Sequence, residues 1–143
     1  MPQIPPRAVI DTQIVMDWLV FGEPRLAPLV EALESGQLKW IGRPPMLDEL
    51  RHVLSRGVAA ERLPNLPRIE EVFALRCHMI EAEPAPAVRL ICRDPDDQKF
   101  IDLALAERAT WLFSRDKAVL ALRKRALAFG LTITTIESWK GLS

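Results

Sequence analysis

Two hydrophobic rhythms alternate along the chain. Short apolar runs at Ala8-Val9-Ile10, Leu38 to Ile41, Thr110-Trp111-Leu112-Phe113 and Leu131 to Thr135 read as buried strands. Between them, apolar residues fall on helical stripes. Thr12 to Phe21 carries Ile14, Val15, Trp18 and Leu19. Leu26, Leu29, Val30 and Leu33 make residues 24–34 an amphipathic helix, and Gly36 suits its stop. Pro44 to Ser55 is a further helix, with proline accommodated in the first turn. After a looser stretch with Gly57, Pro64 and Pro67, the residues Ile69, Val72, Phe73, Cys77 and Ile80 mark one helical stripe.

The segment "PAPAVRLI" leads into a predicted strand over 86–91, followed by the acidic "RDPDDQKF" at 93–100. A helix then runs through Leu103, Ala104 and Ala106. Beyond the strand at 110–113, "SRDKAVLALRKRALAFG" predicts a loop and one helix ended by Gly130, and Ile136 to Trp139 a terminal turn. Residues 1–7 read as a flexible arm. Alternating strands and helices predict an α/β fold: a mainly parallel sheet with helices on both faces, in one domain over 1–143.

Composition narrows the function classes. The chain is 49% hydrophobic, with 19 basic and 19 acidic residues. Zero net charge argues against indiscriminate coating of nucleic acid, although it leaves room for a local basic track. Cys77 and Cys92 lie in apolar surroundings without metal-ligand spacing to His52 or His78, so buried free thiols are expected. No apolar run is long enough for a membrane span, and "MPQIPPR" lacks a signal-peptide core. A reducing cytoplasm is the expected location.

The acids carry the chemistry. Asp11 closes the first strand, Asp94, Asp96 and Asp97 follow the predicted strand at 86–91, and Asp116 follows the one at 110–113. In parallel α/β sheets, ligands gather beyond the C-terminal strand ends. Clustered carboxylates repel one another, and a hard divalent cation relieves that repulsion. All-oxygen donors point to Mg²⁺ or Mn²⁺ and to phosphoryl chemistry. A further acid comes from "PPMLDELRHVL", where spacing leaves Asp48 and Glu49 both open.

Four stretches, "AVIDTQIVMDWLV", "PPMLDELRHVLSR", "RDPDDQKFIDLALAERATWLFSRDKAVLAL" and "LTITTIESW", together resemble a PIN-domain nuclease. They are most similar to the VapC-like toxin components of bacterial toxin–antitoxin pairs. The resemblance spans about residues 8–139 and implies a PIN-like three-layer fold. It implies metal-dependent endoribonuclease activity, with Asp11, Glu49, Asp97 and Asp116 as catalytic and metal-binding acids. It selects Glu49 over Asp48. It also implies an RNA substrate, a cognate antitoxin protein and a homodimer. Ser114 stands where the family has threonine or serine. Gln13 replaces the family's asparagine in "Asp-Thr-Asn"; its amide is the same, on a stem one methylene longer.

Each candidate also has a plainer role. Asp94 and Asp96 suit a turn and a helix cap, with support of a metal site as the alternative. Asp97 suits the first turn of a helix. Asp17 and Asp102 are expected at the surface. Arg93 and Arg115, in strand-end loops, are candidate RNA phosphate contacts; Arg123-Lys124-Arg125 reads as a solvated face. Trp18, Trp40, Trp111 and Trp139 are expected in the core. The rival readings are an RNA-processing PIN nuclease without antitoxin, and a degenerate PIN module that binds RNA or protein without cleaving. A phosphatase or phosphoryl-transfer receiver is a third, although Asp11 is not followed by an Asp-x-Asp pattern.

Overall fold

Four of the five strands form where the consecutive apolar runs lie, and all five point the same way. The computed structural model describes residues 4–142. β1 (Arg7–Ile10), β2 (Lys39–Gly42), β3 (Cys77–Met79), β4 (Trp111–Phe113) and β5 (Thr132–Thr134) make one parallel sheet in the order β3-β2-β1-β4-β5. Of the expected N-terminal arm, residues 1–3 lie outside the described residues. Arg7 departs from the arm: it opens β1, pairs with Lys39, and donates from its guanidinium to the Glu107 carbonyl at 2.9 Å.

Side chains alternate across the sheet and build two cores. Ala8, Ile10, Trp40 and Phe113 face one layer; Val9, Ile41 and Leu112 face the other. The first layer holds α1 (Thr12–Leu19), α2 (Ala27–Glu34) and α4 (Leu66–Arg76). The second holds α5 (Gln98–Ala106), α6 (Lys117–Leu120) and α7 (Arg123–Leu127). α3 (Pro44–Ser55) gives Leu50 to the first core and Met46 to the second. Burial of both faces is what the near-continuous apolar strands require. The tryptophans pack as expected: Trp40 stacks between Trp18 and Phe73 with centroids 5.6 and 4.6 Å away, and Trp139 sets its edge against Trp111 and Phe113. Cys77 and Cys92 are buried free thiols, and burial pushes Cys77 up to about 12.

Local departures have local causes. The 24–34 helix opens as a 3-10 turn, Pro24–Leu26, because Pro28 has no N–H for the Pro24 carbonyl. The expected last helix is two short ones. Between them Leu122 N–H bonds back to Val119 at 3.0 Å, a tighter turn that tucks Leu122 into the core.

Two expectations are corrected. Cys77, placed on the helical stripe, is extended at φ −94, ψ 122 and begins β3, paired with Trp40 on the free edge of β2. The predicted strand at 86–91 does not form. Pro84 and Pro86 lack donors, and the Gln98 amide supplies the missing bonds: it accepts from Cys92 N–H at 2.7 Å and donates to the Leu90 carbonyl at 2.8 Å. The acids at 94–97 therefore come off a side-chain-pinned loop rather than a strand.

The topology also fixes where a crevice opens. From central β1 the chain moves outward to β2 and β3, returns through α5 to β4 on the other side of β1, and continues to β5. Strand order reverses between β1 and β4, so the segments leaving their C-terminal ends diverge onto opposite faces.

Candidate functional site

Asp11 follows β1 and Asp116 follows β4, one on each side of that crevice. Both are N-caps. Asp11 accepts from Ile14 N–H at 3.0 Å as α1 starts, and Asp116 accepts from Ala118 N–H at 2.8 Å as α6 starts. Ser114, fully buried, ties them together. Its hydroxyl donates to Asp11 Oδ2 and accepts from Asp116 N–H at 3.0 Å. The third acid comes from the loop before α5. Asp94 caps the 3-10 turn Pro95–Asp97 by accepting from Asp96 N–H at 2.9 Å, and the turn delivers Asp97 to the start of α5. Capping thus falls to Asp94 rather than to the expected Asp96, which is exposed, because the 3-10 turn moves the cap upstream.

Asp94, Asp97 and Asp116 each bring one carboxylate oxygen within 4.8 Å of the other two. Asp97 and Asp116 line a cleft of about 550 Å³ together with Asp11, Gln13, Glu49 and Lys117. Asp97 Oδ2 is buried there without a hydrogen-bond partner. Asp97 rises from 3.8 to about 7, through burial first and then the charges of Asp116, Asp94 and Asp11. Asp11 rises to about 6, mainly through burial, against the lowering pull of Ser114 and Ile14. An orphaned carboxylate oxygen among crowded acids and an all-oxygen donor set fit a hard divalent cation of the Mg²⁺ or Mn²⁺ kind.

The other sequence candidates are spread around this centre. Glu49 reaches the cleft from α3, while Asp48 turns away to Arg51 at 2.9 Å. Glu49 is not free: Lys99 Nζ contacts Glu49 Oε2 and the Asp96 carbonyl. Sequence reasoning missed Lys99, whose one signal was a cation two residues beyond Asp97. Gln13 is exposed at the rim. Arg115 lines the cleft but donates from Nε and Nη2 to Asp17, at 3.0 and 3.2 Å. Arg93 is exposed and makes no ion pair among the described residues. Two expected surface acids are engaged instead: Asp17 by Arg115, and Asp102 by Gln98 Nε2 at 2.9 Å.

The chain is thus a parallel three-layer α/β protein with carboxylates converging at the switch point of its sheet. The chain belongs to the PIN-domain family: the family model, described as PIN domain, matches residues 7–118. PIN domains are typically nucleases, and these nucleases use divalent metal ions. No curated protein matches the chain. No helix among the described residues is long and apolar enough to cross a membrane.

Proposed function

We propose that this chain is an endoribonuclease that hydrolyses RNA phosphodiester bonds with Mg²⁺ or Mn²⁺. We read it as the VapC-like toxin of a toxin–antitoxin pair, a cytoplasmic homodimer held in check by an antitoxin protein. The observation that carries the nuclease reading is the buried, partnerless oxygen of Asp97, set beside Asp94 and Asp116 in an open cleft. The resemblance of the four sequence stretches supports the toxin assignment.

In this reading Asp11, Asp97, Asp116 and Glu49 would hold the cation, with Asp94 beside them. A bound ion of this kind supplies Lewis acidity and lowers the pKa of a water at the scissile phosphate. The chain's own residues prepare that place. Ser114 fixes the Asp11 carboxylate and the Asp116 backbone in one arrangement. Lys99 neutralises Glu49 on the α3 wall and limits the charge that crowds the cleft. Gln13 presents an amide at the rim, and Arg93 is free to meet a phosphate. Arg115, clamped by Asp17, acts as a wall.

Incubation of RNA with the protein in Mn²⁺, in Mg²⁺ and in chelator tests the reading. Cleavage is expected only with metal, and Asp97→Asn is expected to abolish it while circular dichroism stays unchanged. Cleavage that persists in chelator, or at the wild-type rate in Asp97→Asn, would sink it. The Lys99–Glu49 pair favours one second reading, a module that binds without cleaving. Metal binding by calorimetry with no RNA cleavage would select that one.

A further inference from the structure

Beside the acidic cleft lies a second depression of opposite character. It measures about 420 Å³ and is lined by Lys117, Leu120, Ala121, Arg123 and Lys124, with three cations and no acid. Lys117 also lines the acidic cleft, so the two depressions meet at this residue. All three cations are exposed, and none makes an ion pair among the described residues. That sets them apart from Arg7, Arg25, Arg43, Arg51, Arg89 and Arg115, each of which faces a carboxylate.

We infer that a single strand of RNA leaves the acidic cleft over Lys117 and follows this groove, its backbone phosphates held by Lys117, Arg123 and Lys124. The inference rests on the nuclease reading above and adds to it the route of the substrate. Its physical basis is charge. A cleft crowded with carboxylates repels a polyanion, and a flanking run of unpaired cations supplies the attraction that brings the strand in. Arg115 is less suited to this role, because Asp17 holds its Nε and Nη2 and leaves only Nη1 for a phosphate. The groove has no aromatic residue on which a base could stack. It therefore reads phosphates, not sequence, and grips all RNA strands alike.

The structure provides an internal control. Arg125 sits on the same helix, is equally exposed and carries the same charge, but does not line the groove. Binding of a fluorescein-labelled single-stranded RNA to the full-length protein in chelator is followed by anisotropy over a series of KCl concentrations. For single strands the slope of log K against log salt is about −0.7 per phosphate neutralised. Replacing Lys117, Arg123 and Lys124 together by alanine is expected to flatten the slope by about 2. Arg125→Ala is expected to leave it unchanged, and poly(U) and poly(A) are expected to lose affinity equally. Lys117→Gln alone, with a wild-type melting curve, is expected to flatten the slope by about one third as much. If wild type cleaves RNA but the triple variant keeps the wild-type slope, or Arg125→Ala flattens it as much, the groove does not carry the strand and the nuclease reading stands. If wild type neither binds nor cleaves RNA, both fall.

Discussion

Asp97→Asn removes one negative charge and almost no volume from the crowded site. In the native chain Asp97 holds its proton up to about pH 7, against 3.8 for the ordinary group. For a fully desolvated carboxyl that gap would correspond to about 4 kcal/mol. Asp97 keeps part of its surface in water, which reduces the effect to roughly 1–2 kcal/mol. Between about pH 4 and pH 7 the native state binds more protons than the unfolded chain, so stability falls as pH rises through that window. The cost is fully present above pH 7 and fades as acid returns the proton. Denaturant and thermal melts in chelator at pH 8 should therefore show Asp97→Asn more stable than wild type, with Tm higher by about 3–8 °C. At pH 5 most of that advantage should be gone. With Mn²⁺ at pH 8 the wild type should rise, because a cation that binds only the folded chain stabilises it, and the variant should respond less. If the variant melts below wild type at pH 8 in chelator, or its advantage does not shrink in acid, then carboxylate crowding is not what sets the energetics of this site.

The bond that Ser114 gives Asp11 favours the charged carboxylate, so Ser114→Ala should raise the Asp11 pKa further and cost roughly 1–3 kcal/mol, more at pH 8 than at pH 5; equal losses at both pH values in urea melts would contradict this. A Cβ on Gly42 would sit 2.8 Å from Cys77 Sγ, so Gly42→Ala should lose roughly 1–3 kcal/mol by overpacking. Adding Cys77→Ala should recover part of that loss, and a double-mutant cycle with no coupling would show the contact to be unimportant. Gln98→Ala removes three hydrogen bonds that pin residues 90–92 and Asp102, so amide exchange at Cys92 should speed up markedly while β1 stays protected; unchanged exchange at Cys92 would mean that other contacts hold the loop.

What the sequence made legible, and what it hid, follows from the range of each interaction. Asp11 and Asp116 could be placed because Asp11 directly follows a run of buried apolar residues and Asp116 comes three residues after another, and a strand end is a local signal. The same holds for α3, whose bounds at Pro44 and Ser55 match the expectation. β3 was hidden because Cys-His-Met extends a helical stripe, and its strand conformation is imposed by the open edge of β2. The false strand at 86–91 came from the apolar residues that end "PAPAVRLI"; in the structure Leu90 and Cys92 are buried while Ile91 is exposed. An apolar run reports what is buried and not where the backbone finds its hydrogen bonds, and here it finds them on a glutamine side chain. The Lys99–Glu49 pair joins residues 50 positions apart, beyond the reach of any local pattern.

The sheet order bears on how this protein comes to exist in time. β1 is the first strand of the chain, yet it lies in the middle of the sheet, and its register to β4 joins Ala8 to Trp111 and Ile10 to Phe113. The Asp11 N–H bonds the Phe113 carbonyl at 3.1 Å. No early segment can complete this pairing alone. Parallel pairing at such separation carries a large loop-closure cost and slows folding. During synthesis β1 can pair with β2 first, but its other edge must wait for residues about a hundred positions later, open to wrong partners meanwhile. The acids inherit the same delay. Asp11 meets Asp116 only after the central strands have closed, so their mutual repulsion is met late, when the rest of the sheet can already hold against it.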